Sequence, residues 1–130
     1  MTAVVIGVGF RSAARASSIT DVIEAASRAV APRRPTALAT PADKAGHTAL
    51  LEAASAASLP VRSIDDAALR QSGGRVATSS PLVTRHRGVG SVCEAAALAA
   101  TGPAARLLVP RLISQDRLAT AAVAIEEPTP

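Results

Sequence analysis

The chain has 130 residues, 48 % of them apolar and 18 % charged. That describes one globular domain and excludes a disordered or low-complexity protein. Phe10 is the only aromatic residue, which excludes base-stacking nucleic-acid modules and aromatic cages for sugars or quaternary amines. The net charge of +4 and the pI of about 11.0 come mainly from arginine. Arginine pairs with carboxylates and phosphates, so this surface either suits an acidic partner or is simply a basic solvated face. Cys93 stands alone, so an intrachain disulfide and a multi-cysteine metal site are excluded. There is no apolar run long enough to span a bilayer and no basic segment ahead of the first apolar stretch. The expectation is a cytoplasmic protein with neither nucleic acid nor membrane as partner.

Val4-Val5-Ile6-Gly7-Val8 reads as a buried first strand, with Gly7-Val8-Gly9-Phe10-Arg11 as the turn that leaves it. A helix over 18–30 follows, with Ser18 and Asp21 in a capping-box-like start. Ile19, Val22, Ile23, Ala26 and Val30 recur at helical spacing, and Pro32 stops the run. Residues 36–40 form strand two. Thr40-Pro41-Ala42-Asp43 then looks like a helix start, with threonine at the cap and proline in the first turn, and that helix should run to about Ala57. Residues 60–64 form strand three. Ser63 or Asp65 caps a short helix that ends near Gln71, before Gly73-Gly74. Residues 76–83 fit an edge strand or a loop. Ser91 and Glu94 form a capping box heading an alanine-rich helix that Gly102-Pro103 ends. Residues 106–113 and 118–125 are strand-like, with a hairpin turn between them. Alanine, about a quarter of the chain, favours helix but says little about which face is buried.

This order predicts an α/β fold: a three-layer α/β/α sandwich with a mixed, mainly parallel sheet and a C-terminal hairpin. Residues 1–126 should form the domain and 127–130 a frayed tail.

In such a fold ligands bind beyond the carboxyl ends of the parallel strands, where helix N-termini offer free N–H groups to anions. The candidate ligand contacts are Gly7, Gly9 and Arg11 after strand one and Thr40 and Lys44 after strand two. Thr78, Ser79 and Ser80 join them from a strand-end loop, and Gly88, Gly90, Ser91 and Glu94 from the head of the last helix. Lys44 sits where the helix dipole disfavours a cation, which points to a ligand contact. A nucleotide site fits poorly. After Gly7 and Gly9 the third small residue is Ser12, no acidic residue ends strand two, and no P-loop motif exists. A tight turn explains the glycines as well. No catalytic residue, metal ligand or cofactor is assigned. The serines lack a nucleophile elbow. His47 and His86 read as solvated or capping residues. Cys93 near a helix start should have a lowered pKa, though a small buried residue explains it too. Glu94 could be a general base, but capping accounts for it.

Four segments together resemble the CobE and CbiG C-terminal domain family of cobalamin biosynthesis. They are Gly7-Val8-Gly9-Phe10-Arg11, Leu38-Ala39-Thr40 with Lys44-Ala45, Thr78-Ser79-Ser80-Pro81-Leu82-Val83, and the stretch from Gly88-Val89-Gly90-Ser91 through Glu94 to Leu98. The resemblance implies an α/β/α fold and a place in building the corrin ring. A corrin precursor is flat, apolar at its centre and carboxylated at its rim, which helix N-termini, hydroxyls, Arg11 and Lys44 would suit. The expectation is a protein that binds a corrinoid or precorrin intermediate and assists the pathway as carrier or chaperone. The alternatives are a hydrolase that opens a precorrin lactone, with Glu94 or His47 as base, and a docking subunit for another cobalamin-biosynthesis enzyme.

Overall fold

The computed structural model describes residues 3–77 and 91–126. The β-branched run at the start forms β1 (Ala3–Phe10), and strand alternation sends its side chains to opposite faces. Val4, Ile6 and Val8 pack with Ile19, Val22 and Ile23 of α1 (Ala16–Val30) and Leu50 of α2 (Thr48–Ala57). Val5 packs on the other face, with Leu69 of α3 (Asp66–Gln71) and Ala95 and Ala96 of α4 (Val92–Thr101). The expected α/β/α sandwich is therefore present. Each fully buried Leu or Ile side chain, such as Ile19 or Leu50, contributes about 1.5–3 kcal/mol.

The sheet is completed by β2 (Ala37–Pro41), β3 (Val61–Ile64), β4 (Arg106–Ile113) and β5 (Ala119–Glu126), in the order β3-β2-β1-β5-β4. β1 pairs parallel with β2, and β2 with β3. β5 is antiparallel to both β1 and β4, so β4 points the same way as β1. Only β5 runs against the other four strands, and the strand pairs divide evenly, two parallel and two antiparallel, so the sheet is mixed, as expected. The C-terminal hairpin is present too. β4 is an edge strand of the described sheet, as is β3, and register shifts around Val109 accommodate Pro110, which has no N–H for a ladder.

Three boundaries differ from the sequence reading. First, β1 does not end near Gly7. It continues to Phe10 because β5 pairs along its whole length, from Ala3 opposite Glu126 to Phe10 opposite Ala119. Gly7 and Gly9 are therefore strand residues and not part of a turn. Second, no helix starts at Thr40. Thr40 is fully buried, pairs with Ser63 and donates its hydroxyl to the Val8 carbonyl at 2.9 Å. Only one 3-10 turn, Ala42–Lys44, follows before α2 begins at Thr48. Tertiary pairing thus overrides a good local cap. Third, α1 begins at Ala16, which places Ser18 inside the first turn. The Ser18 hydroxyl accepts from the Arg15 N–H at 3.2 Å and donates to Asp116 at 2.5 Å. Asp21 accepts from the Gln115 N–H at 2.9 Å. Both residues hold the β4–β5 turn instead of forming a cap with each other. The short α3 agrees with its prediction, with Asp65 accepting from the Ala68 N–H at 2.8 Å. Gly102, at φ 116°, stops α4 at the expected place.

Asp116 also accepts from the Ser114 hydroxyl at 2.6 Å and the Leu118 N–H at 3.0 Å. These bonds, led by Ser114 and then Ser18, hold its carboxyl below the usual carboxylate value. A depressed folded-state value stabilises the fold fully above the unfolded-state value, and that contribution is lost as pH falls through the folded value. Asp116→Asn should therefore melt lower than the parent at neutral pH. The gap should close as pH drops below the usual aspartate range, which thermal melts across pH will read.

Residues 127–130, expected as a tail, and most of 76–83 lie outside the described residues. Among the described residues no helix is long and apolar enough to cross a membrane.

Candidate functional site

The carboxyl ends of β1, β2 and β3 share one edge of the sheet with the start of α2. α4 crosses β1 with its N-terminal end at the same edge. Its Cys93 carbonyl lies against Gly7, and its Val92 side chain lies near Gly9. The edge has two sides, set by the alternation of β1.

On the α2 side stands Phe10, half-buried and packed on the Val8 cluster. The Lys44 Nζ lies over its ring, 5.3 Å from the centroid, a cation–π distance. The His47 ring meets the Phe10 ring edge-on, with centroids 5.1 Å apart and planes at 76°. His47 is the N-cap of α2, and its Nδ1 accepts from the Ala49 N–H at 3.2 Å. Capping was one of the two roles expected of it. In the neutral ring an accepting Nδ1 leaves the proton on Nε2. Arg11 directly follows Phe10. Its side chain is exposed, and its N–H donates to the Leu118 carbonyl at 2.9 Å. Among the described residues no carboxylate neutralises Arg11 or Lys44. The structure thus brings Lys44 to the residue next to Arg11, although 33 positions separate the two in the chain.

On the α4 side the picture is one of packing. Gly7 is buried against the backbone of α4. The Gly9 carbonyl accepts from the Thr120 hydroxyl at 3.3 Å. Ser91 is the N-cap of α4 but its side chain caps nothing. Its hydroxyl lies 3.5 Å from the Cys93 sulfur. Glu94 does not complete the expected box. It is fully buried, and it accepts from the Ala77 N–H at 2.9 Å and from the Arg111 N–H at 2.8 Å. The box fails because these two segments approach the head of α4 and take the carboxylate. Burial pushes the Cys93 thiol up, outweighing the hydrogen bonds of Ser91 and Thr120. The expected lowering by the helix end does not hold, and the residue is inert packing, as its other reading had it.

Of the twelve candidate contacts, Arg11 and Lys44 lie at the carboxyl edge of the sheet, Arg11 directly after β1 and Lys44 against the Phe10 ring. Gly7, Gly9, Thr40, Ser91 and Glu94 carry identifiable structural duties. Thr78, Ser79, Ser80, Gly88 and Gly90 lie outside the described residues, as does His86. Sequence reasoning missed Phe10 and the Lys44–Phe10–His47 cluster. The available signal was the position of the only aromatic residue at the end of a buried strand, beside a cation. Among the described residues no group of three or more His, Cys, Asp or Glu side chains gathers to hold a metal ion.

Residues 4–124 match the family described as cobalamin synthesis G C-terminus. This chain belongs to that family. A solved structure of CobE, a protein from the cobalamin (vitamin B12) biosynthetic pathway, superposes with a TM-score of 0.87 at 25 % identity, covering 99 % of this chain and 94 % of that one. The cobalamin biosynthesis protein chiG from Agrobacterium tumefaciens superposes with a TM-score of 0.74 at 35 % identity, covering 96 % and 99 %. No curated protein matches the sequence. The protein is thus a cobalamin biosynthesis protein of the CobE/CbiG C-terminal family.

Proposed function

We propose that this chain binds a polycarboxylate corrin or precorrin intermediate at the carboxyl edge of the sheet and assists the pathway as a carrier or chaperone. The observation that carries the reading is the seating of Lys44 on Phe10, the residue that directly precedes the exposed Arg11. A cation on a half-buried aromatic, with a second cation at the next position in the chain, suits a ligand that is apolar in the middle and anionic at the rim. Membership in a corrin-building family supplies the ligand class.

The same geometry favours binding over lactone hydrolysis. Both Glu94 carboxylate oxygens accept backbone N–H groups, and His47 spends its Nδ1 lone pair on Ala49. Neither presents a free base to a water. The docking-subunit reading has no specific observation behind it.

A spectral titration with cobyrinic acid, a cobalt corrin whose rim carries free carboxylates, tests the proposal, with gel filtration to see whether colour co-elutes with protein. Arg11→Ala and Lys44→Ala should each weaken binding by roughly tenfold, the worth of one charge-assisted contact. Affinity should also fall as salt rises. Binding that ignores both substitutions, or no binding at all, overturns the reading.

A further inference from the structure

We infer that His47 is a hydrogen-bond donor to the ligand and that, with Lys44, it reads a carboxylate at the corrin rim from a platform made by Phe10. This inference rests on the corrin-binding reading above and assigns a role to His47, which is not among that reading's own contacts.

The argument starts from the cap. The His47 backbone is extended, at φ −67° and ψ 132°, and Nδ1 accepts from the Ala49 N–H. That bond fixes which nitrogen holds the proton. Nδ1 is the acceptor, so Nε2 carries the hydrogen and donates outward. The edge-on contact with Phe10 sets the plane of the ring. The imidazole is only half-buried, and among the described residues its Nε2 has no partner. Lys44 sits on the same phenyl ring, its Nζ 5.3 Å from the centroid and the centre of the His47 ring 5.1 Å from it, so one aromatic ring carries both groups. An ammonium and an oriented N–H around one apolar ring match a carboxylate on an apolar body.

The same geometry argues against a different use of the ring. A metal-bound histidine gives one nitrogen lone pair to the metal and donates its other N–H to an acceptor. Here the second nitrogen accepts instead, so a neutral His47 has no lone pair to offer cobalt. His47 therefore recognises the rim of the macrocycle and does not ligate its metal.

Two substitutions separate the cap from the donor. His47→Asn keeps an acceptor near the position of Nδ1 and removes the Nε2 donor. His47→Gln keeps a donor near the position of Nε2 and gives up the cap. Cobyrinic acid and cobinamide, the same macrocycle with amidated side chains, serve as the two probes. Wild type should prefer cobyrinic acid. His47→Asn should bind it about fivefold more weakly, the effect of one lost hydrogen bond, with an unchanged melting temperature. His47→Gln should bind within about twofold of wild type while melting lower. Electron paramagnetic resonance of the bound cobalt(II) form should show no axial nitrogen splitting that depends on His47. Wild-type affinity in His47→Asn, or an axial nitrogen signal that this variant abolishes, overturns the inference and leaves corrin binding standing. If wild type binds neither probe, the corrin reading falls and takes this inference with it.

Discussion

Gly7→Ala will destabilise the protein by about 3 kcal/mol or more, at the upper end of what core overpacking does. A β-carbon at Gly7 would stand 1.8 Å from the Cys93 carbonyl oxygen, 2.7 Å from the Ala97 nitrogen and 2.9 Å from the Ala97 β-carbon. Two of these atoms belong to the backbone of α4, so no rotamer change relieves the clash. The helix must lift from the sheet, and lifting it uncovers Ala95, Ala96, Ala97 and Leu98, all buried in the parent. Relief elsewhere is blocked because β1 is pinned between β2 and β5. Gly9→Ala is the control. There the nearest atom is the Thr120 hydroxyl at 2.9 Å, the end of a side chain that can turn, and Val92 is 3.7 Å away. Its loss should stay under about 1.5 kcal/mol. Chemical denaturation of the two variants will read the contrast. Similar midpoints for both would mean that α4 does not sit on Gly7 as described.

The same pair of glycines shows what the amino-acid order could and could not reveal. A strand followed by glycines invites a phosphate-loop or tight-turn reading, and both place Gly7 and Gly9 at a chain reversal. What settles the matter is β5, more than a hundred residues away, whose pairing extends β1 through Phe10. Thr40 repeats the lesson. Its local context is a strong helix cap, yet its hydroxyl serves the Val8 carbonyl across the sheet. In both places a partner distant in the chain decides the conformation, and no short-range signal reports it. Elements whose signals are local came through well. Asp65 caps α3, Gly102 ends α4, and the apolar stripe from Ile19 to Val30 lines the buried face of α1.

The candidate site was legible to the same degree. Arg11 and Lys44 drew attention as cations near strand ends, and strand order alone predicts that the ends of β1 and β2 are neighbours. The cluster on Phe10 depends on more. β2 must run on to Pro41, and one 3-10 turn must carry the chain to Lys44 and His47. A helix begun at Thr40 would have placed His47 mid-helix, without a capping role. The error in one helix boundary therefore hid the contact of His47 with Phe10, though not the capping role already expected of it.

Glu94→Ala is expected to cost about 3 kcal/mol, the second large effect after Gly7. Glu94 was expected to serve its own helix, and it serves two other segments instead. One carboxylate oxygen accepts from the Ala77 N–H, the other from the Arg111 N–H in β4. Truncation leaves both donors partly buried without an acceptor, at about 1–2 kcal/mol each. It also leaves a void in a position that is wholly inaccessible to solvent. Glu94→Gln keeps the shape but turns an N–H2 toward one of the two donors, so it should lose about half as much. Hydrogen exchange localises the effect. The amides of Ala77 and Arg111 should exchange faster in Glu94→Ala, while those in the centre of α4 keep their rank among the slowest. Rescue by glutamine to full stability would show that only the volume of the side chain matters. A melting temperature unchanged in the alanine variant would mean that the two N–H groups do not depend on this carboxylate. The expected order, parent above glutamine above alanine, follows from counting acceptors: two, one and none.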